Sequence, residues 1–290
     1  MHHWFTYPNI SPIAFRIGPL AVHWYGISYL IGFIAVYLWM SRPEGRRRLG
    51  LTREQIQDFL VYALVGVLVG GRTFFVINDI ISKHDASSYL TNPLNLIAVW
   101  NGGMAFHGGL IGVIVAIALF LRKHPGLTFS VLGDEVVVLL PVGIALTRVV
   151  NFINDELWGD VCKPDHPWCM QPGAGADLSA AQQGQYLHPS QLYEAILDAI
   201  TLPIIYFIYK RRPPDGVTGW SWFTIYGITR TIAESWRHAD FVWHGITGGQ
   251  LYAIPMIPIG IAMIVYCYRK GVRTDERAGY QVGDDRAAVR

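Results

Sequence analysis

The chain has 290 residues, of which 52% are hydrophobic and 15% are charged, and its formal net charge is +2 at pH 7. Soluble domains carry roughly 25% charged residues, and the mean hydropathy here is +0.29. This composition excludes an ordinary soluble enzyme and predicts an all-α polytopic membrane protein.

Seven apolar runs are long enough to cross a hydrocarbon core, which needs about 20 residues per helix. They cover 19–40, 57–78, 96–121, 131–152, 190–209, 219–237 and 250–268. No cationic segment precedes the first run, so we interpret it as a retained span and not as a cleaved signal peptide.

The seven predicted spans divide the chain into five parts. We expect an N-terminal arm, helices 1–4, a loop or small head, helices 5–7 and a tail, at 1–18, 19–153, 154–188, 189–270 and 271–290.

The cations between the spans predict the orientation. With the N-terminus outside, the outer segments hold only Arg16, Lys83 and Lys163, with Arg237 at a boundary. The inner segments then hold Arg42, Arg46, Arg47, Arg48, Arg53, Arg122, Lys123, Lys210, Arg211, Arg212, Arg269, Lys270 and Arg273. The positive-inside rule therefore predicts an N-out, C-in topology.

Polar residues also begin spans 1 and 5, in the runs 23–26 and 188–194, and Arg72 lies within span 2. An unpaired arginine in a membrane is costly, so Arg72 is a candidate for binding a lipid phosphate. An interfacial aromatic belt is the alternative reason for Trp24 and Tyr25.

Span 3 opens with glycines on both sides of a histidine. Gly102, Gly103, Gly108 and Gly109 flank His107. Glycines let a ligand or another backbone approach closely, and an imidazole titrates near neutral pH. Catalysis is one interpretation; a hydrogen-bonding histidine and glycine packing between helices is the other.

Span 4 ends in a polar run. Arg148, Asn151 and Asp155 share one face of the expected helix, and Asn154 and Glu156 lie to its sides. Because buried polar groups need partners, this set predicts a lined pocket at the outer interface. An ordinary helix end with satisfied polar groups is the alternative.

Span 6 carries a stripe of charge. Tyr226, Arg230, Glu234 and Arg237 follow one another at helical spacing. Such a stripe must face a protein interior or a wet cavity. An Arg230–Glu234 ion pair that fixes helix packing would explain part of it, but the excess cation favours an anionic ligand.

The three cysteines do not predict a metal site. Cys162 and Cys169 lie in the 154–188 segment, where an oxidising compartment would allow a local disulfide, and Cys267 lies at the far end of span 7. The cysteine and histidine spacings match no zinc or redox motif, so we expect no metal.

Six runs of the sequence resemble, in chain order, the blocks of the prolipoprotein diacylglyceryl transferases, bacterial inner-membrane enzymes that begin lipoprotein maturation. The run RVVNFINDELWG at 148–159 resembles the family signature. The others are HWYG at 23–26, GGR at 70–72, FHGGLIG at 106–112, HPSQLYE at 188–194 and YGITRTIAESWR at 226–237. Thr147 and Val150 depart from the signature, where small residues are usual; both concern helix packing, not reacting groups.

The resemblance implies a reaction and a location. The diacylglyceryl group of phosphatidylglycerol would pass to the lipobox cysteine thiol of a preprolipoprotein, leaving a thioether and releasing glycerol 1-phosphate. The implied location is the bacterial inner (cytoplasmic) membrane with the active site, the arm and the head toward the periplasm and the tail in the cytoplasm. The partners would be phosphatidylglycerol, the preprolipoprotein signal peptide and the bilayer, with no cofactor and no nucleic acid.

The resemblance also assigns roles. A thiol has an unperturbed pKa of about 8.5 and reacts as the thiolate, so His107 is expected to be the base. Arg148 and Arg230 are expected to stabilise the leaving phosphate. The expected substrate-binding residues are Tyr25, Asn151, Asn154, Glu156, Gly159 and Glu234, with Arg72, Arg237 and His188 as second-line candidates. The glycine-rich faces of spans 2 and 3 are expected to form a lateral opening for lipid.

A transporter or flippase of an anionic lipid is the alternative function, since it would also need intramembrane arginines and glycine-rich helices. Such proteins usually contain two halves with matching broken helices, and the sequence shows no such repeat. The sequence does not predict the preferred lipoproteins, the oligomeric state or the order of substrate binding. The thiol base also stays open, since a carboxylate or water is the alternative to His107.

Overall fold

A computed structural model describes residues 7–83, 86–99, 103–163, 166–239 and 241–274. The first six residues of the predicted arm, Asn101 and Gly102 of span 3, and most of the tail at 271–290 lie outside the described residues. The described residues form two compact units: 7–39 with 133–274 (the first unit), and 40–132 (the second unit).

Helices dominate both units. They are α1 Trp24–Met40, α2 Pro43–Leu49, α3 Arg53–Lys83, α4 Ser87–Thr91, α5 Phe106–Lys123, α6 Phe129–Val136, α7 Leu140–Ile153, α8 Ser190–Lys210, α9 Val217–Ala233, α10 Gly248–Ala253 and α11 Met256–Lys270. Two antiparallel strand pairs accompany them, namely β1 Ile13–Ile17 with β2 Leu20–His23, and β3 Val242–Trp243 with β4 Ile246–Thr247. The expectation of a purely α-helical chain is therefore wrong in these two short hairpins.

Several helices are long and apolar enough to cross a membrane. In the described part of the chain these are Arg53–Lys83, Ser190–Lys210 and Gly248–Lys270, and the number rises to five if α1 with α2 and α6 with α7 each form one span. The mostly helical architecture and the membrane setting agree with the prediction. The count of seven stays a prediction.

Helix α8 shows how these helices differ from those of a soluble protein. Its polar Glu194 and Asp198 are only 4% and 6% exposed, whereas Ile196 and Ile200 are 60% and 51% exposed. A soluble helix buries its apolar face and exposes its polar face. The reversed pattern indicates that the outer face of α8 meets lipid.

The first predicted span begins later than expected. Residues 20–23 form β2, and helix α1 begins only at Trp24. A turn at Gly18, with φ of +58°, returns the chain so that β2 pairs with β1. The Trp24 backbone N–H then donates to the Pro12 carbonyl at 3.2 Å, and its indole N–H donates to the Ser11 carbonyl at 3.0 Å. Part of the predicted arm is therefore a hairpin tied to the start of α1.

Two predicted spans of the first unit are interrupted. Span 4 is divided into α6 and α7 by a break at 137–139. Pro141 lies at the start of α7, and its ring excludes a continuous helix because it would clash with the carbonyl four residues earlier. Span 6 ends as an α-helix at Ala233 and continues as the 3₁₀ turn Glu234–Trp236, so the charged stripe does not lie wholly on one α-helical face.

Asp134, in α6, caps the N-terminus of α9. Its two carboxylate oxygens accept from the backbone N–H groups of Gly216 and Gly219, each at 2.8 Å. A carboxylate at a helix N-terminus satisfies otherwise unpaired donors and interacts favourably with the helix dipole. This contact fixes where the helix carrying Arg230 begins.

In the second unit, α3 and α5 touch through their backbones. A Cβ added to Gly70 would lie 2.2 Å from the Gly108 carbonyl oxygen, and one added to Gly112 would lie 1.9 Å from the Gly66 carbonyl oxygen. Small residues spaced by four allow this close approach in membrane helices. The expectation that these faces form a lateral opening for lipid is wrong for these four glycines, which pack against each other.

Span 3 also starts later than expected, since α5 begins at Phe106 and not near residue 96. The buried Arg72 of α3 holds the preceding segment: its guanidinium donates to the backbone carbonyls of Asn95, Leu96 and Gly103. Asn95 and Leu96 end the 3₁₀ turn Pro93–Leu96, and Gly103 precedes α5, so their carbonyls lie at element ends and need such donors. Arg72 therefore has a structural role here, and its part in substrate binding stays a prediction.

Gly112→Ala is expected to lower the unfolding midpoint of the purified protein. Overpacking of this kind typically costs about 1–3 kcal/mol, since the two backbones would have to move apart. The matched control is Gly109→Ala, where the added Cβ would lie 3.7 Å from Val67. Thermal unfolding in detergent checks the pair; equal midpoints for both variants would contradict the close contact.

The 154–188 segment has a hydrophobic core of its own, and we call this segment the head. A residue of the N-terminal arm, Tyr7, packs into it, with its ring centroid 5.3 Å from that of Phe152 and 5.8 Å from that of Trp158. The complete cluster is Tyr7, Phe152, Trp158, Met170 and Leu187. The head thus packs around a hydrophobic core to which Tyr7 of the arm and Phe152 of α7 contribute.

Candidate active site

Three arginines and two glutamates meet inside the first unit, and we call this set the arginine cluster: Arg148, Arg230, Arg237, Glu194 and Glu234. One carboxylate oxygen of Glu194 lies 2.8 Å from Arg148 Nε and 2.8 Å from Arg230 Nη1, and the other lies 3.0 Å from Arg237 Nη1. Glu234 Oε2 forms an ion pair with Arg230 Nη2 at 2.7 Å. Three guanidiniums against two carboxylates leave an excess of one positive charge.

The arginine cluster is held by four parts of the chain. Arg148 comes from α7, Glu194 from the second turn of α8 and Arg230 from the last turn of α9. Glu234 begins the 3₁₀ turn that follows α9, and Arg237 comes directly after that turn. Both carboxylates are at most 5% exposed, whereas the arginine side chains are 17–21% exposed. The anions thus form the floor of the cluster, and the cations retain accessible surface.

A cleft opens beside the arginine cluster. It is narrow and is lined by Glu194, Leu197, Asp198, Tyr226, Thr229, Arg230 and Ala233. Its walls are therefore α8 and α9, and Arg230 lines it together with the carboxyl groups of Glu194 and Asp198. The predicted Arg230–Glu234 pair is present, but it does not neutralise the set.

A second polar group, the Glu156 cluster, consists of Tyr25, Asn151, Asn154 and Glu156. The Tyr25 hydroxyl donates to Glu156 Oε1, which also accepts from Asn151 Nδ2 at 3.0 Å and from Asn154 Nδ2 at 3.4 Å. Arg148 Nη1 reaches Asn151 Oδ1 at 3.5 Å. Arg148 therefore joins the two clusters, and four predicted substrate-binding residues lie together.

The turn after α7 separates two adjacent carboxylates. Helix α7 ends at Ile153, and both Asp155 and Leu157 have a φ of 60°, a left-handed backbone conformation that is uncommon for non-glycine residues. Glu156 joins its cluster, whereas Asp155 accepts from Trp158 Nε1 and from the Gly173 backbone N–H, both at 2.9 Å. The expectation that Asp155 shares a helical face with Arg148 is therefore wrong, because the helix has already ended.

Gly159 connects the head to the segment that carries Arg237. Its backbone N–H donates to the His188 carbonyl at 2.9 Å, and its own carbonyl accepts from Gln182 Nε2 at 2.8 Å. Gly159 also forms an antiparallel bridge with Arg237. Gly159 thus joins the head to the backbone beside the site, and its part in substrate binding stays a prediction.

Gly159→Ala is expected to lower both stability and activity. The added Cβ would lie 2.1 Å from the Trp236 carbonyl oxygen and 2.9 Å from the His188 carbonyl oxygen, so the segment carrying Arg237 must move. Overpacking suggests a cost of about 1–3 kcal/mol. The unfolding temperature and the turnover rate provide the measurements. The control is Gly175→Ala, whose Cβ would lie 3.9 Å from its nearest atom. An unchanged unfolding temperature in Gly159→Ala would show that the backbone contact at Gly159 is not close.

His188 lies at the end of the head, two residues before α8 begins. Its Nδ1 lies 3.2 Å from the Tyr193 hydroxyl, and its ring lies 5.4 Å from that of His166. Burial lowers the pKa of His188, and the nearby His166 lowers it further, against a smaller opposite effect of Asp160. Its side chain thus belongs to the head, and its part in substrate binding stays a prediction.

The head brings a Cys/His set together, although the sequence spacing predicted none. One ligand atom from each of Cys162, His166, Cys169 and His188 lies within 4.8 Å of the others. Cys162 and Cys169 are joined as a disulfide, the bond expected for an oxidising compartment. The spacing did not reveal the set because His188 arrives from the far end of the head.

His107 lies in the second unit. It is the second residue of α5, its side chain is exposed, and its ring centroid lies 6.3 Å from that of Phe74. Exposure leaves the imidazole accessible to a substrate. Its role as a base stays a prediction.

Glu194 is the main residue that the sequence analysis missed, since it forms ion pairs with all three arginines of the cluster. The available signal was the polar stripe of span 5, which recurs at helical spacing and is buried: Ser190, Gln191, Glu194, Asp198 and Thr201. In an apolar run, such a stripe marks the face that packs inside the protein. Gln191 lies on it and donates through Nε2 to the Glu156 backbone carbonyl.

The chain is similar in sequence to one family of named proteins. A sequence model of the family described as "Prolipoprotein diacylglyceryl transferase" matches residues 12–266. The proteins named phosphatidylglycerol--prolipoprotein diacylglyceryl transferase include one from Dechloromonas aromatica, 41% identical over 274 residues, which cover 91% of this chain and 98% of that protein.

Two further relatives carry the same name. The protein from Legionella pneumophila strain Paris is 42% identical, with 88% of this chain and 96% of its own length covered. The protein from Geobacter sulfurreducens is 40% identical, with 92% and 98% covered. The family match and these near full-length similarities show that the chain belongs to the prolipoprotein diacylglyceryl transferase family.

Proposed function

We propose that this protein transfers the diacylglyceryl group of phosphatidylglycerol to the lipobox cysteine of a preprolipoprotein, the first step of bacterial lipoprotein maturation. Family membership and the names of the relatives support this activity. The observation that carries the proposal is the arginine cluster, in which three guanidiniums meet two carboxylates beside a cleft between α8 and α9.

The chemistry of the donor lipid fits that cluster. Attack on the glycerol carbon breaks a carbon–oxygen bond, so the electron pair leaves with the phosphate as glycerol 1-phosphate. Cations in a water-poor site stabilise such a leaving anion strongly. Arg148 and Arg230 provide planar guanidiniums, which bind phosphate oxygens in pairs, and Arg237 adds a third cation.

The Glu156 cluster fits the hydroxyl groups of the same lipid. Asn154 Oδ1 is buried and accepts no hydrogen bond from the described residues. A buried acceptor without a donor is costly, and a glycerol hydroxyl would supply the missing donor. Tyr25, Asn151 and Glu156 would then orient this group, with Glu234 and Gly159 holding the arginines in place.

The acceptor thiol needs a base, and we assign this role to His107. The thiol proton would pass to the imidazole as sulfur attacks, leaving a thioether on the cysteine. Exposure of the side chain at the start of α5 supports this assignment. A shift of the acidic limb of the pH–rate profile in His107→Gln tests it; an unchanged profile would assign the proton to a carboxylate or to water.

The decisive experiment follows glycerol phosphate release by the purified protein in phosphatidylglycerol vesicles, with and without a lipobox peptide. Release that requires the peptide cysteine, with mass-spectrometric detection of the thioether, is the expected result. A peptide carrying serine in place of the lipobox cysteine is the control. Peptide-independent lipid movement without release would contradict the transferase and favour a lipid transporter.

We also propose seven spans in the bacterial inner membrane, with the N-terminus, the head and the active site toward the periplasm. The inner segments carry most cations, and α1, α5 and α9, with 17, 18 and 17 residues, are close to the length that the hydrocarbon core requires.

Cysteine labelling tests this topology in a Cys267→Ser background. In intact spheroplasts, a membrane-impermeant maleimide should label Asp177→Cys in the head but not Arg47→Cys in α2. Both residues are exposed in the structure, so permeabilisation should render Arg47→Cys reactive. Labelling of Arg47→Cys before permeabilisation would reverse the proposed orientation.

A further inference from the structure

We propose that the head is a redox-controlled zinc site: when the Cys162–Cys169 disulfide is reduced, the two thiolates bind Zn²⁺ together with His166 and His188. Two cysteines and two histidines form a common ligand set of structural zinc sites. This proposal concerns the folding of the head and is independent of the transferase activity.

The geometry of the four ligands carries the proposal. Their ligand atoms lie within 4.8 Å of one another, and a tetrahedral zinc with two sulfur and two nitrogen ligands needs them about 3.3 to 3.8 Å apart. Small side-chain movements therefore suffice once the sulfurs are free. The backbone is already in place, because the Val161–Leu187 and Met170–Leu187 bridges join the two chain segments that supply the ligands.

The surroundings of His188 suit a metal ligand. Its Nδ1 is engaged by the Tyr193 hydroxyl at 3.2 Å, so we assign Nε2 to the metal. Metal-binding histidines usually have such a partner on the second nitrogen, which fixes the ring.

The chemical steps balance with a dithiol as the reductant. The dithiol transfers two electrons and two protons to the disulfide, giving two cysteine thiols and becoming a disulfide itself. Zinc binding then releases the two thiol protons as the thiolates coordinate. The metal therefore cross-links Cys162 and Cys169 when the disulfide is reduced.

The structural consequence concerns Gly159 and the arginine cluster. The His188 backbone carbonyl accepts from Gly159, and Gly159 pairs with Arg237. Loss of the disulfide without a replacement would loosen the segment that supplies these contacts. Zinc would hold it in the reduced protein.

The full-length protein in detergent is reduced with a phosphine, freed of reductant and titrated with Co²⁺. We expect the visible absorption of tetrahedral Co²⁺ with thiolate charge transfer, which Zn²⁺ abolishes. After removal of free metal, the reduced protein should retain one zinc per chain, and zinc should raise its unfolding midpoint. The oxidised protein should show neither effect.

Variants identify the ligands. Cys162→Ser and His166→Ala should each weaken zinc retention at least 10-fold, whereas Cys267→Ser, which removes the buried cysteine outside the set, should retain zinc as the wild type does. Reduced wild-type protein that gives no thiolate–Co²⁺ spectrum would overturn the proposal. So would equal zinc retention by the oxidised protein or by Cys162→Ser.

Discussion

Arg230→Ala is expected to lower kcat/KM for diacylglyceryl transfer by about 100 to 1000-fold, the range found when one preorganised donor to a developing anion is removed. Arg230 lies at the edge of the cleft and contacts both Glu194 and Glu234. Its loss removes the excess positive charge of the arginine cluster. Glycerol phosphate release under steady-state conditions provides the measurement.

Two companion variants separate charge from geometry. Arg230→Lys keeps the cation but loses the planar pair of donors, so it should recover only part of the lost rate. Arg16→Ala removes an exposed arginine of β1 and should leave the rate unchanged. A wild-type rate in Arg230→Ala protein that unfolds normally would show that the phosphate binds elsewhere.

Glu194→Ala is expected to cost about 3–5 kcal/mol of folding free energy, because removal of one partner leaves buried charges uncompensated. Three guanidiniums would then face only Glu234. Activity should fall with stability, since the arginines would repel one another from their positions. The unfolding midpoint in detergent and the rate at a temperature where the variant stays folded are both needed.

Two further variants test this explanation. Glu194→Gln keeps the side-chain shape and an accepting oxygen but removes the charge, so its loss should be smaller than that of alanine. Asp177→Asn, at an exposed position of the head, should change neither property. If Glu194→Gln and Glu194→Ala unfold at the wild-type midpoint, the carboxylate does not hold the cluster.

Local pattern was sufficient to predict the helices and part of the site. Apolar length predicted α3, α8 and the α10–α11 region, and polar residues inside apolar runs identified Arg148, Arg230 and Glu234, which do meet. These features depend on the cost of placing charge in lipid. That cost applies to each charged residue separately, so these residues can be identified from the sequence without knowledge of the fold.

Partnerships between distant segments could not be predicted in the same way. Glu194 was placed at the start of span 5 but not assigned to the site, because nothing in its own segment indicates that three arginines from elsewhere converge on it. His166 and His188 likewise meet only through the pairing of head segments. The glycines of α3 and α5 fitted both a packing and a lipid-entry interpretation, and only their mutual contact decides between these.

The left-handed turn at 154–157 has a consequence for genetics. It directs Glu156 into the polar cluster and Asp155 into the head, where Asp155 binds Trp158 and the Gly173 backbone. A screen for loss of lipoprotein maturation should therefore recover two classes of allele from neighbouring codons. Alleles at Glu156 would yield abundant but inactive protein, whereas alleles at Asp155 would yield a small amount of active protein. The amount of protein per cell would distinguish the two classes.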